Sequence, residues 1–261
     1  MTEPASADRI ERVLVALDAS AHDAAAFDAL AQLAADLRAE LHAVFVEDAN
    51  LFGLIRLPFA HEIGNRSARE RPFGRAELER SLRLRAARVR RSFEHAAGQR
   101  AIRFSFEVAR GRVAPEALAA GRGDDLVVFR PAGLGPRFAG GHPARLRDRP
   151  VLIYLDPGSD LRRTLDRGVR LARAAGTAWR LVMPQLEDAV AARIGALALE
   201  LAAAGNAPAI RLAGNGVEAL ARSTGMARAG MVVVSGTSDV AAMRNIDALI
   251  AAIGCPLIVV R

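Results

Sequence analysis

A carboxylate, a hydroxyl and an imidazole fall within five positions at Asp18, Ser20 and His22, just after the apolar run Val13-Leu-Val-Ala-Leu17. Acid, alcohol and imidazole are the parts of a hydrolytic triad. No G-x-S-x-G elbow surrounds Ser20, so nothing would present it as a nucleophile. A similar run ending in an acid recurs at Val151-Leu-Ile-Tyr-Leu-Asp156, followed by Pro157-Gly158. The five histidines are His22, His42, His61, His95 and His142. They form no H-E-x-x-H and no zinc spacing with the single Cys255. One cysteine also excludes an intrachain disulfide. All 36 basic residues are arginine. Without lysine, the P-loop motif and lysine Schiff-base chemistry are excluded. No constellation of residues demands catalysis.

The formal charge of +7 and a sequence pI near 11.1 raise an acidic partner. The complete replacement of lysine by arginine, beside abundant alanine, points to compositional drift and weakens that inference. Two segments concentrate the charge. Residues 50–75 hold the apolar set Leu51, Phe52, Leu54, Ile55, Leu57, Phe59 and Ile63, then Arg66, Arg69, Arg71 and Arg75. Such a segment can serve as a lid or a partner surface, with Arg56, Phe59, His61, Arg66 and Arg69 as its contact residues. It can equally be a loop packed on its own unit. Residues 74–97 carry Arg80, Arg83, Arg85, Arg88, Arg90 and Arg91 beside Glu77 and Glu79. A basic helix face can hold nucleic acid or acidic lipid, but a solvated face is the plainer account.

The elements that must position these residues alternate. Residues 12–18 form a buried strand, and Ser20 offers an N-cap. Residues 22–39 form a helix with Phe27, Leu30, Leu33 and Leu37 on one face. Strand 41–46, the irregular stretch 50–63 broken by Pro58, helix 74–97, strand 102–108, a short helix after Gly111 and strand 125–129 follow. The pattern then restarts with strand 151–156, helix 161–175, strand 179–183, helix 188–204, strand 209–212, strand 231–234, helix 239–253 and strand 256–260. Strands alternating with helices imply a parallel, doubly wound sheet. The repeat divides the chain into units 1–147 and 150–261 joined by a very short linker. The first unit has no clear fifth strand. Its glycine- and proline-rich stretch after Phe129 runs straight into the second. The longest apolar stretch, near 246–260, is too short to span a bilayer. No apolar secretory segment opens the chain, so a cytoplasmic location is expected.

This order of features resembles the universal stress protein family. The residues that carry the resemblance are Asp18 ending a strand, Gly111 opening a helix, Asp125-Leu-Val-Val128 and Cys255-Pro-Leu-Ile-Val-Val260, with Asp156 and Gly214 repeating two of them. It covers nearly the whole chain except 50–75 and 130–150. The resemblance implies two Rossmann-like, adenine-nucleotide-alpha-hydrolase-like units in tandem, packed as an internal pseudo-dimer. It also implies ATP or AMP, with magnesium carried by the nucleotide, in the first unit. Asp18, Ala19, Ser20, Val46, Gly111, Arg130, Gly133, Gly140 and Gly141 would form the nucleotide site, with Asp18 near the base and Gly133, Gly140 and Gly141 near phosphate.

Here the glycine pattern after the fourth strand departs from the family's. Arg130 replaces the first glycine, and the register from Gly133 lands on Pro143. In the second unit Ser235-Gly-Thr-Ser-Asp239 also lacks the spacing. Asp18 and Asp156 are better explained as helix caps than as ligand groups. The expectation is therefore a non-catalytic regulatory or adaptor protein in stress response, with no resident metal. The alternative is an ATP- or AMP-binding member with slow hydrolysis. A basic scaffold for nucleic acid is the weakest reading. A protein partner is expected, a homodimer is open, and membrane association is not expected.

Overall fold

The computed structural model describes residues 10–20, 24–54, 61–63, 70–72, 74–129, 149–202, 209–211 and 214–261. The first six elements in order are β1 (Arg12–Leu17), α1 (Ala24–Asp36), β2 (Glu40–Asp48), α2 (Ala49–Leu54), β3 (His61–Ile63) and β4 (Glu70–Pro72). Next come α3 (Arg75–Gly98), β5 (Phe104–Gly111), α4 (Val113–Ala120), β6 (Asp125–Phe129) and β7 (Val151–Tyr154). The rest are α5 (Leu161–Ala174), β8 (Trp179–Met183), α6 (Asp188–Ala202), β9 (Ala209–Arg211), α7 (Val217–Ala227), β10 (Met231–Ser235), α8 (Ile246–Ala252) and β11 (Leu257–Val260). Among the described residues no helix is long and apolar enough to cross a membrane.

Nine strands form one sheet in the order β5-β2-β1-β6-β11-β10-β7-β8-β9. Every neighbour pair is parallel except β6–β11. From each outer edge inward the two strand sets are wound alike: β5-β2-β1-β6 against β9-β8-β7-β10, with β11 completing the second. Among the described residues the first set has four strands. β11 occupies the place beside β6 where a fifth would stand.

The central strands are apolar throughout because both faces are covered. In β1, Val13, Val15 and Leu17 enter one core with Phe27 of α1 and Phe93 of α3, while Leu14 and Ala16 enter the other with Ala117 of α4. The first core continues under α5 and α6, the second under α7 and α8. Each core crosses from one strand set to the other, so the hydrophobic interior is divided by sheet face rather than by repeat.

The crossing point is the antiparallel seam. Leu126, Val127, Val128 and Phe129 pair with Val260, Val259, Ile258 and Leu257. Arg261 N–H adds a bond to the Asp125 carbonyl at 3.2 Å. Helix α5 clamps this seam. Gly168 lets it approach the sheet, since a β-carbon there would lie 2.6 Å from Ile153 Cδ1. The neighbouring Arg167, 1% exposed, donates to Asp124 Oδ1 at 2.8 Å and to the Arg261 main-chain oxygen at 3.1 Å. Arg163 donates to the same Asp124 oxygen at 2.5 Å and to the Gly123 carbonyl. Burial, then the adjacent Arg163, lowers the Arg167 pKa, with Asp124 opposing.

Two expectations are revised. The single helix over 239–253 is a 3-10 turn at Asp239–Ala241 followed by α8. Ala242 is extended, and the Asn245 side-chain amide donates to the Asp239 carbonyl across the break at 2.7 Å. The stretch 50–63, expected to be irregular, holds most of α2 and all of β3, which pairs antiparallel with β4. The proposed contact residues Arg56, Phe59, Arg66 and Arg69 lie outside the described residues, and His61 is described only as the start of β3.

At the opposite edge, His42 is buried between β1 and β5. Ser105 donates its hydroxyl to Glu40 at 2.7 Å and so accepts from His42 Nδ1 at 2.8 Å. Glu107 stands 3.7 Å from His42 Nε2. Burial, reinforced by Arg12, holds the His42 pKa below its ordinary value, against the pull of Glu107, Glu40 and Asp125.

Arg167→Ala removes a buried guanidinium and leaves the Arg261 main-chain oxygen without this donor, while Arg163 still holds Asp124. It should cost about 1–3 kcal/mol, read as a lowered denaturation midpoint, whereas Arg163→Ala should cost visibly less. His42 gives a pH signature. Because its folded pKa lies below the unfolded value of about 6.5, its contribution is complete above that pH and is lost as pH falls towards the folded value. Thermal stability should therefore fall between about pH 7 and pH 5.5, and His42→Gln should flatten that slope.

Candidate functional site

In a doubly wound sheet, ligands enter at the carboxyl ends of the strands where the winding reverses. Here that gives two crevices. One lies beyond β1 and β6, the other beyond β7 and β10. Because β6 and β11 are antiparallel, the crevices open on opposite edges of the sheet.

The first crevice begins with Asp18, Ala19 and Ser20. Asp18 is half-buried, and its Oδ1 accepts from the Ser20 amide at 2.8 Å and the Ser20 hydroxyl at 2.5 Å. Its Oδ2 has no protein partner among the described residues. The carboxylate thus holds its own turn through Oδ1. Arg85 of α3 comes to the same turn and donates to the Ala19 carbonyl at 2.8 Å. The sequence placed Arg85 among the solvated arginines of the helix. Its approach depends on how α3 packs on α1, which spacing alone does not show.

The neighbouring strand ends are occupied by protein groups. Val46 is fully buried in the core beneath α4, so its side chain packs. Gly111 ends β5, and a β-carbon there would overlap the Glu116 carboxylate. The glycine therefore makes room for a side chain of its own helix. Glu47 accepts from Arg110 at 2.8 and 3.1 Å, and the Arg110 guanidinium lies 4.3 Å from the Phe52 ring centre. This stack pins α2 to the edge of β5. Asp18, Ala19, Ser20, Val46 and Gly111 are thus brought to one edge of the sheet. Arg130, Gly133, Gly140 and Gly141 lie outside the described residues.

The second crevice is stitched shut. Asp156 is buried. Its Oδ1 accepts from the Ser159 hydroxyl at 2.7 Å and its Oδ2 from the Ser238 hydroxyl at 2.6 Å. Ser235 Oγ accepts from the Asp160 amide at 3.2 Å. The amides of Gly236, Thr237 and Ser238, which a phosphate would need, already donate to Val260 O, Ser235 Oγ and Ser235 O. A β-carbon at Gly158 would lie 3.2 Å from the Thr237 carbonyl, so the two loops touch through a glycine. Tyr154 lies under this cluster. Burial, then Asp156 and Asp239, raises its pKa and keeps the phenol protonated.

The capping explanation therefore fails for Asp156. The N-cap of α5 is Asp160, whose side chain accepts from Arg163 N, while Asp156 bonds across the crevice. Ser238 is the partner that local sequence reasoning missed. It lies 82 positions away, and only the repeat, by aligning the fourth strands, could have brought that loop to notice. The Asp156 oxygens and these loop amides are thus already engaged within the chain. Cys255 is buried nearby in the same core. Burial pushes its thiol up to about 12, so it is a packing residue rather than a nucleophile.

Ser238→Ala leaves a buried carboxylate oxygen without its donor and should cost about 1–3 kcal/mol. For a chain of this size that lowers Tm by roughly 2–4 °C per kcal/mol. Asp18→Ala, which disturbs one turn, should cost about 1 kcal/mol or less. Equal losses in thermal denaturation would mean that the two crevices are not built differently.

No family model matches the chain, and no curated protein matches it. Solved structures do. A universal stress protein from Archaeoglobus fulgidus DSM 4304 aligns with TM-score 0.53 at 12% identity, over 95% of this chain and 97% of that one. A functionally unknown protein from Pseudomonas aeruginosa PAO1 aligns with TM-score 0.51 at 13% identity, over 97% and 93%. A provisionally assigned universal stress protein from Pseudomonas aeruginosa UCBPP-PA14 gives 0.51 at 13%, over 98% and 94%. The likeness spans almost the full length of each chain, and it establishes that this chain has the universal stress protein fold.

Proposed function

We propose that this chain is a universal-stress-protein-like regulatory or adaptor module, non-catalytic, with its two crevices in different roles. The observation that carries the reading is the Asp156–Ser238 contact. It supports a second set that serves as closed support and a first set, around Asp18, that remains available to a ligand. The buried groups with displaced pKa values fit a structural assignment. Arg167 is at the seam, His42 at the β2–β5 edge, and Tyr154 and Cys255 in the core under the closed crevice.

The Oδ2 of Asp18, without a protein partner among the described residues, favours one further reading, an adenine nucleotide (ATP or AMP) held in the first crevice. Asp18 and Ser20 would orient it from the β1 turn, with Arg85 behind them. Any metal would arrive with the phosphates.

The test is phosphate release from ATP with magnesium, run beside a thermal-shift titration with ATP and AMP. Release should stay at the no-protein background. A Tm rise that grows with nucleotide concentration, and that Asp18→Ala abolishes, would establish the nucleotide reading in the first crevice. Release above background that Asp18→Ala removes would overturn the non-catalytic assignment.

A further inference from the structure

Helix α3 gives one face to the sheet and leaves the opposite face uncovered among the described residues. Leu78, Leu82, Ala86, Val89 and Phe93 form the buried stripe. The outward pole carries Arg80, Leu84, Ala87 and Arg91, with Arg83 and Arg88 beside them, all exposed. Seven of the 24 residues of α3 are arginine. Three have partners: Arg75 pairs with Glu79, Arg90 with Glu94, and Arg85 holds the Ala19 carbonyl. No ion pair forms to Arg80, Arg83, Arg88 or Arg91 among the described residues, although the field of Arg83 reaches Glu79. Arg80–Arg83 and Arg88–Arg91 are like charges three positions apart, which repel on a helix. Among the described residues no ion pair offsets this repulsion, and Glu79 and Glu94 of the helix are engaged elsewhere, by Arg75 and Arg90. At its centre Leu84 is 60% exposed.

We infer that this face docks an acidic amphipathic helix of a partner protein. Its apolar seam lies on Leu84 and Ala87, and its carboxylates meet Arg80, Arg83, Arg88 and Arg91. The four outward positions follow a 4-3-4 spacing, the spacing by which two helices lie side by side. They extend over about 16 Å of helix, at 1.5 Å per residue. Guanidinium groups match carboxylates in paired hydrogen bonds. A bare phosphate backbone would engage the arginines and leave Leu84 unused, and a lipid surface needs a broader apolar face than one leucine and one alanine. The inference rests on the adaptor reading and gives its partner a chemical class.

The experiment is fluorescence anisotropy on the full chain with three probes. One is a synthetic helix of about three heptads, with leucine at the seam and glutamate flanking it. The second replaces each glutamate by glutamine, and the third is single-stranded DNA of about 20 nucleotides. The glutamate helix should bind saturably and weaken as salt rises from roughly 50 to 300 mM. The variant Arg80→Gln/Arg83→Gln/Arg88→Gln/Arg91→Gln should lose at least about tenfold in affinity, and Leu84→Ser about threefold. Both variants should keep or exceed the parent Tm, because the substituted side chains make no hydrogen bond or ion pair among the described residues. No saturable binding of the glutamate helix would overturn the inference. So would equal binding of the glutamine helix, or DNA binding as tight as the glutamate helix and indifferent to Leu84→Ser. None of these outcomes alters phosphate release, so the docking face and the non-catalytic assignment fail separately.

Discussion

The antiparallel pairing of β6 with β11 is the constraint on which the rest of the molecule depends. β6 is apolar on both faces, from Leu126 to Phe129, and left at the rim of a four-stranded sheet it would present an unpaired hydrophobic edge. β11 covers that edge. Because it does so antiparallel, the second strand set runs opposite to the first, and both cores become continuous across the join. The seam has only four paired residues on each strand, and Arg167 reinforces it from one end by tying the turn before β6 to the end of β11. A buried guanidinium is a costly way to hold two segments. Its use here fits a join between strand sets that no single hydrophobic contact would keep in register.

Much of this architecture is legible in the residues. Val13–Leu17 and Val151–Leu155 are continuous apolar runs, and such runs between helical stretches mean a buried parallel sheet. The repeat gives the winding. What it does not give is the neighbour of β6, because two alternatives look identical in sequence. β6 could be a bare edge or could borrow a strand from the other half, and β11 reads only as the second set's own fifth strand. The helix over 239–253 misleads for a related reason. Its periodicity is helical throughout, and the break at Ala242 follows from Ser238 being held at Asp156 and Asn245 reaching back to Asp239, which are tertiary facts. Arg167 is the clearest case. On a helix with five arginines it looks like solvent-facing charge, and only the glycine beside it hints at a close approach to the sheet.

The two crevices show how one motif reaches two outcomes. Asp18 and Asp156 both end a first strand, and both are followed within three residues by a serine that donates to Oδ1. The difference is what meets Oδ2. In the second set a hydroxyl from the loop after β10 satisfies it and buries the acid. In the first set Oδ2 is free among the described residues and the acid stays half in solvent. Local sequence around the two aspartates does not carry that distinction, since the deciding residue belongs to another loop.

The closed crevice and the seam are one connected structure. The loop that shuts the crevice bonds through Gly236 N to Val260 of β11, the strand that covers β6. The same loop accepts the Asp160 amide at Ser235, and Asp160 caps α5 through Arg163 N. Two turns along α5, Arg167 holds the Asp124 turn and the end of β11. From Ser238 to Arg167 the bonds run through one loop, one cap and one helix. A ligand entering the second crevice would have to displace the loop that fixes the start of α5, and with it the placement of the clamp. In this chain the carboxyl edge of the second set is therefore part of the join between the strand sets. A binding role at that edge would compete directly with holding the sheet together, whereas among the described residues no bond ties the Asp18 turn to the seam.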